Sequence, residues 1–500
     1  MISLKELVRK AYPDYSEIQK IPDVSIDGLE CDSRRVGKNF LFVAIRGKKL
    51  DGAGFIQEAV RRGAVAVVID GDQKIAGDIP RVRVSDCRLA ASRLAAVFYG
   101  EPAKKLSVIG ITGTNGKTTT SYLLEHLLKK ENKKTGVIGT VNYRFAGKEI
   151  PAAETTPGPL RLQSILSEML GAGCTHVAME VSSHALDQGR VADIEFSQGL
   201  FTNLTQDHLD YHGTLEKYFE CKAKLFLGLS KRSTAVLNAD DSRVRGLLSK
   251  IKCRALTYGI DHECDIRAFV GARRPAYRQA GVPLHGQLDA TPFTLKWGGR
   301  SQEVVLPTLG RHNIYNALGA LAVMQAAGFS VEKAATHLKD FPGVPGRLER
   351  VDRGQDFTVL VDFAHTPDGL ENTLNSLREY KKKKLILVFG CGGDRDRTKR
   401  PQMAQIASRG SDFVYVTSDN PRSEDPTIIA QEIQAGFPKS FSRYAVVLDR
   451  HKAIRRALMD ARKGDIVLLA GKGHERTQVI GAEALPFSDR GEAEKVLSGH

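Results

Sequence analysis

The sequence predicts a three-domain α/β protein with a central phosphate-loop ATPase-type sheet, mostly parallel, and a Rossmann-like C-terminal domain. Three observations support this prediction: short β-branched segments alternate with longer helical patterns, two junctions rich in glycine and proline interrupt the chain, and its 500 residues exceed what one hydrophobic core usually organises. Parallel sheets bind ligands at the carboxyl ends of their strands, so functional residues are expected in the loops that follow those strands.

The alternation begins with the apolar segment LSVIGI and the helical pattern TTTSYLLEHLLKK. It continues with THVAMEV and AVLN, and near the C-terminus with TVLVDFA, KLILVFG, DFVYVTS and DIVLLAG. Short segments of this kind, rich in Val, Ile and Leu, are typical of buried strands. Because helical patterns separate them, they indicate βαβ units with parallel pairing.

Two junctions divide the chain into three segments. The string GEPAKK at residues 100–105 precedes the strand LSVIGI, and the string FPGVPG at 341–346 contains two prolines and two glycines in six residues. Such strings favour turns and hinges over continued helix or strand. We therefore predict domains over residues 1–103, 104–340 and 341–500.

The composition is that of a soluble globular protein, with 42% hydrophobic and 26% charged residues. No apolar run approaches the roughly 18 to 20 residues of a membrane-spanning helix, and the charged start MISLKELVRKAYPDYSE is unlike a secretory signal. Seven cysteines without a CxxC pair are typical of reduced thiols. We expect a cytoplasmic protein without membrane insertion.

The net charge of +15 favours polyanionic partners, either nucleic acid or phosphorylated metabolites. The basic residues are spread along the chain, there is one tryptophan, and no zinc-finger or RNP-type string occurs. These observations argue against nucleic acid and favour phosphorylated small molecules.

A phosphate loop is predicted at TGTNGKTTT, between the strand LSVIGI and an amphipathic helix. Gly113 and Gly116 allow backbone N–H groups to approach phosphate oxygens, Lys117 adds a positive charge, and the hydroxyl of Thr118 suits Mg²⁺. The strict pattern for such loops would require glycine where this sequence has Ile111. The alternative interpretation is a glycine-rich turn without a ligand.

Further candidates for metal binding and transfer follow the next strands. Glu180 ends a predicted strand in HVAMEVSSHAL and suits Mg²⁺, and His208 in the polar string FTNLTQDHLDYHGT suits a second cation. Lys222 lies in YFECKAKLF; a neutral lysine near two cations can add CO₂ and become a carbamate, a carboxylate-like ligand. Taken singly, each residue also fits a solvated side chain or loop hydrogen bonding.

Taken together, seven strings in this order resemble the Mur ligase family of peptidoglycan synthesis over almost the whole chain: TGTNGKTTT, MEVSSHAL, FTNLTQDHLDYHGT, YFECKAKLF, GRHNIYNALGA, GVPGRLE and VDFAHTPDGL. The resemblance implies an N-terminal UDP-sugar domain, a central ATPase domain, and a C-terminal domain that closes over the site and binds the incoming amino acid. It also implies an ATP-dependent carbon–nitrogen ligase that forms an acyl phosphate, with ATP, Mg²⁺ and CO₂, the last as a lysine carbamate.

The resemblance assigns roles to individual residues. ATP would be held by Gly113, Thr114, Asn115, Gly116, Lys117, Thr118, Thr119, Asn313, Asn316, Arg347 and Asp362, with His365 beside them. The metal ligands would be Thr118, Glu180, His208 and carbamylated Lys222, and the catalytic residues Lys117, Lys222 and His208.

Additional strings, among them ETTP, CGGDRDRTKRP, SDNPRSEDP and AGKGHE, resemble family members that add the third residue of the peptide. The implied acceptor is UDP-N-acetylmuramoyl-L-alanyl-D-glutamate, activated at its D-glutamyl side-chain carboxylate. It would be bound by Ser33, Thr155, Thr156, Ser182, Gln188 and Arg190. Ala53 stands where the family commonly has histidine, so one contact near the UDP is expected to be missing.

The string DNPR resembles the version that uses meso-diaminopimelate as the incoming amine. The implied pocket comprises Arg395, Asp419, Asn420, Pro421, Arg422, Gly471 and Glu475, with Glu475 facing an ammonium. Diaminopimelate carries a second carboxylate that a guanidinium binds through paired, charge-assisted hydrogen bonds. L-Lysine lacks this group and would leave Arg422 unpaired.

Three alternatives stay open from the sequence. A ligase of the same family that adds L-lysine is opposed by DNPR, and a folate-polyglutamylating relative is opposed by the string DSR, which contains Ser33. Outside the class, a phosphate-loop protein would use its nucleotide only as a switch for binding nucleic acid. We expect a monomer with small-molecule substrates and no nucleic acid.

Overall fold

A computed structural model describes residues 2–47, 50–71, 79–270, 290–378 and 380–499. These residues form three sheets of four, eleven and six strands, together with two two-stranded ribbons. No helix within them is both long enough and apolar enough to span a bilayer.

The N-terminal part contains β1 (Ile2–Ser3), α1 (Leu4–Ala11), β2 (Ser25–Ile26), β3 (Gly28–Glu30), β4 (Phe40–Val43), α2 (Ile56–Arg61), β5 (Ala64–Ile69), β6 (Arg81–Arg83) and α3 (Cys87–Phe98). Strands β3 to β6 pair in parallel, in chain order. Side chains alternate across the sheet: Leu41 and Val43 join the core with α1 and α3, whereas Phe42 joins the core with α2.

The central part contains β7 (Ser107–Thr112), α4 (Lys117–Lys130), β8 (Thr135–Ile138), β9 (Asn142–Phe145), β10 (Lys148–Pro151), α5 (Pro159–Gly171), β11 (His176–Glu180), α6 (Ser183–Asp187), β12 (Phe196–Phe201), α7 (Leu209–His212), α8 (Leu215–Leu227), β13 (Thr234–Asn238), α9 (Ser242–Arg245), β14 (Arg254–Gly259), β15 (Ile266–Phe269), β16 (Thr291–Trp297), β17 (Arg300–Leu306), α10 (Arg311–Ala326) and α11 (Val331–His337).

The central sheet has the strand order β10-β9-β8-β11-β7-β12-β13-β14-β15-β16-β17. Strands β8 to β15 of this order are parallel, and antiparallel pairs extend both edges. Strand β7 is buried on both faces: Ile109 and Ile111 join the core that contains α4 and α10, and Val108 joins the core that contains α5 and α8. The carboxyl ends of β8, β11, β7 and β12 therefore lie side by side.

The C-terminal part contains β18 (Glu349–Val351), β19 (Thr358–Asp362), α12 (Pro367–Arg378), β20 (Leu385–Phe389), α13 (Lys399–Gly410), β21 (Phe413–Val416), α14 (Pro426–Gln434), β22 (Tyr444–Val446), α15 (Arg450–Asp460), β23 (Ile466–Ala470), β24 (Thr477–Ile480), β25 (Glu483–Pro486) and α16 (Asp489–Leu497). Its sheet has the order β18-β19-β23-β20-β21-β22, parallel from β19 onwards. Helices α12 to α14 cover one face, and α15 and α16 cover the other.

The predicted fold class is confirmed: the chain is α/β, and its central and C-terminal sheets are mostly parallel. The predicted junctions at 100–105 and 341–346 lie between consecutive sheets. The limits of the three domains stay a prediction. The antiparallel edges of the central sheet were not predicted, because the alternation of strands with helices indicates only parallel pairing.

Candidate active site

The phosphate loop joins β7 to α4 at the carboxyl edge of the central sheet. Gly113 and Gly116 have φ values of +138° and +88°, which other residues rarely adopt. Space is also absent: a Cβ at Gly113 would lie 1.9 Å from Thr202 Oγ1, and one at Gly116 would lie 2.2 Å from Asn316 Oδ1. Among the described residues, no side chain caps α4 at Gly116, so the first N–H groups of the helix remain available to an anion.

We expect Gly116→Ala to destabilise the protein and to weaken nucleotide binding. The added methyl group would collide with Asn316, an overpacking cost of about 1–3 kcal/mol beyond the backbone strain. Gly147→Ala is the matched control, since Gly147 has φ +80° but a Cβ added there would meet no heavy atom of the described residues within 4 Å. Urea unfolding and ATP titration of both variants measure the difference. Equal losses of stability and of ATP affinity in the two variants would contradict this explanation.

Two lysine ammonium groups share the carbonyl oxygen of Gly113. Lys117 Nζ donates to the carbonyl oxygens of Gly113 at 2.9 Å and Thr114 at 2.8 Å, and Lys222 Nζ on α8 donates to that of Gly113 at 2.8 Å. Burial lowers the pKa of Lys117, and burial together with the Lys117 charge lowers the pKa of Lys222 well below its usual value. A lowered pKa enlarges the neutral fraction of the amine, the form that adds CO₂.

Glu180, which ends β11, forms a buried hydrogen-bonded cluster beside the loop. Its carboxylate accepts hydrogen bonds from Thr118 Oγ1 at 3.1 Å, Thr140 Oγ1 at 2.9 Å and Thr140 N at 3.0 Å. Two predicted metal ligands, Thr118 and Glu180, are therefore brought together. Thr140 was not predicted from the sequence; it follows β8 and reaches this cluster because β8 neighbours β11.

His208 precedes α7 in the left-handed conformation, with φ +53°. Its ring centroid lies 5.0 Å from that of His184, and its Nε2 lies 3.4 Å from Asp207 Oδ2. Burial lowers the pKa of His208 to about 4, so the ring is neutral near pH 7, the form that binds metals. Among the contacts of the described residues, no hydrogen bond or ion pair joins His208 to Glu180.

The oxygen ligands near the loop suit a Mg²⁺ ion that is also bound by phosphate. They do not suit a metal held by protein side chains alone. Within the described part of the chain, no three His, Cys, Asp or Glu side chains are grouped closely enough to hold a metal. Mg²⁺ usually keeps several waters and binds one or two carboxylates together with phosphate oxygens. The carboxylate of Glu180 and the hydroxyl of Thr118 meet that requirement.

The other predicted ATP residues lie on α10 and in the C-terminal part of the chain. Asn313 and Asn316 lie on α10, joined by a 3.0 Å hydrogen bond, and Asn316 packs against Gly116. Asp362 ends β19, where its carboxylate accepts hydrogen bonds from the N–H groups of Leu348 at 2.8 Å and Ala364 at 2.9 Å. The guanidinium of Arg347 lies 4.7 Å from the centroid of the Phe363 ring. Two further residues of this set, Thr114 and Thr119, are buried, and Asn115 in the loop is half-buried.

A polar contact joins the C-terminal part to the phosphate loop. Asp368, in the first turn of α12, accepts hydrogen bonds from Asn115 Nδ2 and, at 3.2 Å, from Thr205 Oγ1. Burial raises the pKa of Asp368. His365, which lies close by, accepts a hydrogen bond at its carbonyl oxygen from Lys399 Nζ. Asp368 lies in the string VDFAHTPDGL, but nothing local in the sequence indicates its partner.

Five of the six predicted acceptor-binding residues form a continuous network beside Glu180. Thr156 Oγ1 donates to the Glu180 carbonyl oxygen at 2.8 Å and accepts from Ser182 N at 3.0 Å. Arg190 donates to the Thr156 carbonyl oxygen at 2.9 Å and to Gln188 Oε1 at 2.9 Å. The hydroxyl of the fifth residue, Thr155, lies 3.1 Å from that of Thr140.

Ser33 is the exception. It lies in the N-terminal part, where its hydroxyl donates to Glu58 Oε2 at 2.7 Å. Ala53 lies in the turn Gly52–Phe55, and its N–H donates to Asp51 Oδ1 at 3.0 Å. The described contacts do not join either residue to the network beside Glu180.

The residues predicted to bind diaminopimelate lie on three loops, which follow β20, β21 and β23 and come together in space. Asn420 Nδ2 donates to Glu475 Oε2 at 2.9 Å, and Arg422 Nη1 donates to the Gly393 carbonyl oxygen at 2.7 Å. A Cβ at Gly392 would lie 2.9 Å from Arg422 Nη1 and 3.8 Å from Arg395 Cγ, so the two arginines meet at this glycine.

Backbone packing brings the remaining pocket residues into the same place. A Cβ at Gly471 would lie 2.7 Å from Asp419 Oδ2, and one at Gly393 would lie 1.9 Å from the Pro421 carbonyl oxygen. Glycine is therefore required at both positions for the loops to approach this closely.

Lys472 belongs to this pocket but was not predicted. Its side chain is fully buried, and its Nζ donates to Asn420 Oδ1 at 3.0 Å and to Glu475 Oε2 at 2.8 Å. The string AGKGHE contains it, yet a lysine between two glycines gives no local sign of burial. Lys472 fixes the orientation of the Glu475 carboxylate.

The phosphate loop lies in the middle one of three α/β parts of the chain, and the C-terminal part contacts it. Three protein-family models match the chain: "Mur ligase family, catalytic domain" over residues 25–99, "Mur ligase middle domain" over 111–324, and "Mur ligase, glutamate ligase domain" over 346–473. The chain belongs to the Mur ligase family. The resemblance drawn from the sequence strings is confirmed.

Curated relatives match over nearly the full length. The UDP-N-acetylmuramoyl-L-alanyl-D-glutamate--2,6-diaminopimelate ligase of Geobacillus kaustophilus is 45% identical over 475 residues, covering 94% of each chain. The ligase of the same name from Solibacter usitatus is 42% identical over an alignment of 504 positions, covering 100% of this chain and 98% of the relative.

Solved structures agree with the fold. A structure of UDP-N-acetylmuramoyl-L-alanyl-D-glutamate--2,6-diaminopimelate ligase matches with a TM-score of 0.68 and 32% identity over 98% of both chains. The MurF ligase of Thermotoga maritima in complex with ADP matches with a TM-score of 0.63 and 22% identity, over 94% of this chain and 98% of that one. The second similarity supports the fold alone.

Proposed function

We propose that this ligase joins meso-diaminopimelate to the D-glutamyl side-chain carboxylate of UDP-N-acetylmuramoyl-L-alanyl-D-glutamate. The reaction would be a cytoplasmic step of peptidoglycan precursor synthesis, carried out by a monomer without nucleic acid. The names of the relatives at 41–45% identity support this substrate pair. The single observation on which the proposal rests is that Arg395 and Arg422 meet at Gly392, in the pocket that also contains Glu475.

The charges of the C-terminal pocket complement diaminopimelate. Within the described residues, neither Arg395 nor Arg422 forms an ion pair with a carboxylate, although the two meet at Gly392. Glu475 offers a carboxylate close by, shared with Lys472. An amino acid with two carboxylates suits such a pocket, because each carboxylate can pair with a guanidinium while Glu475 faces an ammonium.

The acceptor fits the network beside Glu180. Hydroxyl and guanidinium donors from Thr155, Ser182 and Arg190 suit the polar peptide, and Ser33 in the N-terminal domain suits the distant uracil end. A long acceptor would then place its terminal carboxylate next to the phosphate loop, where the γ-phosphate of ATP is expected.

In the first step, the acceptor carboxylate attacks the γ-phosphorus, and the bond to ADP breaks to give an acyl phosphate. Lys117 and the N-terminus of α4 stabilise negative charge on the transferred group. Thr118 and Glu180 would hold one Mg²⁺, and His208 with carbamylated Lys222 a second. When bound, Mg²⁺ would neutralise negative charge on the phosphate oxygens.

In the second step, the neutral amine of diaminopimelate attacks the acyl carbon, and phosphate leaves from the tetrahedral intermediate. The amide forms and the amine loses a proton. The C-terminal domain excludes water that would otherwise hydrolyse the acyl phosphate. The contact of Asp368 with Asn115 supports this role, because it places α12 against the loop.

Phosphate release from MgATP tests the proposal. We expect release only when both UDP-muramoyl dipeptide and meso-diaminopimelate are present. With L-lysine it should be about 10- to 100-fold lower, because the charge-assisted hydrogen bonds that half-buried Arg422 would form with the second carboxylate are worth about 1.5–3 kcal/mol. Equal or faster release with L-lysine would assign the chain to the lysine-adding ligases. Release stimulated by RNA or DNA without either substrate would favour the nucleotide switch.

A further inference from the structure

The C-terminal domain contains a fully buried ion pair that the proposed chemistry does not use. Arg450, the first residue of α15, donates from Nε to Asp489 Oδ1 at 2.7 Å and from Nη2 to Oδ2 at 2.6 Å. Both side chains are 0% exposed. Buried ion pairs are often no better for stability than apolar residues of similar volume, so stability alone does not explain this one.

The remaining donors of Arg450 reach two backbone carbonyl groups. Nη2 donates to the Ala470 carbonyl oxygen at 3.0 Å, and Nη1 donates to that of Ser418 at 3.3 Å. Ser418 directly precedes the loop 419–422, and Ala470 directly precedes the loop 471–475. One guanidinium therefore contacts the points at which two loops of the pocket begin.

Within the described residues, the strands that lead into the two loops do not pair with each other. The loops follow β21 and β23, and β20 lies between these strands in the sheet. Contacts across the pocket, such as the 2.9 Å hydrogen bond from Asn420 to Glu475, depend on the separation of the loops. A rigid, planar guanidinium oriented by a bidentate carboxylate fixes such a separation well.

We propose that Arg450, oriented by Asp489, is a positioning residue that sets the spacing of the loops 419–422 and 471–475 and thereby the affinity for the incoming amino acid. The inference rests on the proposed function, since it concerns the diaminopimelate pocket. Misplacement of binding groups by about 1 Å costs up to about 100-fold in rate or binding.

Steady-state kinetics with Arg450→Met provides the test. We expect the KM for meso-diaminopimelate to rise about 10- to 100-fold, while the KM values for ATP and for the acceptor change less than about 3-fold. The melting temperature should also fall, because Asp489 is left buried without a partner. Arg450→Lys should give a smaller rise in KM, since an ammonium pairs with Asp489 but lacks the fork that reaches both carbonyl groups.

The double variant Arg450→Met/Asp489→Leu separates positioning from stability. Removing both charges should restore most of the melting temperature while the raised KM for diaminopimelate persists. Arg144→Met is the matched control: it removes the largely buried partner of Glu125 in the central domain, and it should lower the melting temperature without moving this KM.

Recovery of the KM together with the melting temperature in the double variant would overturn the inference, as would an unchanged KM in Arg450→Met. A parallel rise in the KM for ATP would also overturn it, because the effect would then be global. If the wild-type chain shows no diaminopimelate-dependent phosphate release, the proposed function fails; an active wild type with unaffected variants removes only the role of Arg450.

Discussion

Replacing Lys222 by methionine should lower kcat by about 100- to 1,000-fold or more while the protein stays folded. The methionine fills a similar volume, so the packing of α8 is retained. The change removes the buried nitrogen that lies 2.8 Å from the Gly113 carbonyl oxygen and, with it, the carbamate that we assign to a metal. Phosphate release at saturating substrates measures the loss, and a Mg²⁺ titration should show a higher requirement.

Lys224→Met is the control for this experiment. Lys224 is exposed on the same helix two residues later, and its Nζ lies 3.7 Å from Asp187 Oδ1. Its replacement should leave kcat within about 2-fold, as for most surface changes. A ¹³C-carbamate signal from labelled bicarbonate is expected in the wild type and in Lys224→Met but not in Lys222→Met. Near wild-type activity of Lys222→Met would remove Lys222 from the mechanism.

Arg422→Lys should lower kcat/KM for meso-diaminopimelate about 100-fold or more and leave the KM for ATP unchanged. Arg422 has φ +51°, and lysine meets the same backbone strain, so the change tests the side chain alone. An ammonium cannot reproduce the two parallel hydrogen bonds of a guanidinium to a carboxylate. Competition between meso-diaminopimelate and L-lysine measures the specificity, and the preference for diaminopimelate should fall.

The matched control is Arg443→Lys. Arg443 is an exposed arginine of the same domain, and its Nε donates to the Asp412 carbonyl oxygen at 3.0 Å, away from the pocket loops. Its replacement should preserve both kcat/KM for meso-diaminopimelate and the preference for this substrate over L-lysine. If Arg422→Lys kept the wild-type preference, the specificity would have to come from other groups, and the charge argument for diaminopimelate would be wrong.

The sequence was sufficient for features whose parts are adjacent in the chain. The phosphate loop is one strand, one glycine-rich turn and one helix start in succession, so Gly113, Gly116 and Lys117 were identified together. The strand–helix alternation also predicted the parallel sheets, because hydrophobic periodicity is a local property. The family strings then supplied the residues of the pocket at Arg422.

Only the tertiary structure identified the partners that come from distant segments. Thr140 reaches Glu180 because β8 neighbours β11, and Asp368 reaches Asn115 because one domain lies against another. Lys472 and Arg450 are buried polar groups whose burial depends on how the loops after β20, β21 and β23 converge. Strand order and domain placement arise from long-range packing, which local hydrophobic patterns do not encode. The sequence by itself therefore determined the fold class and the phosphate loop, whereas the tertiary structure decided which side chains orient the site.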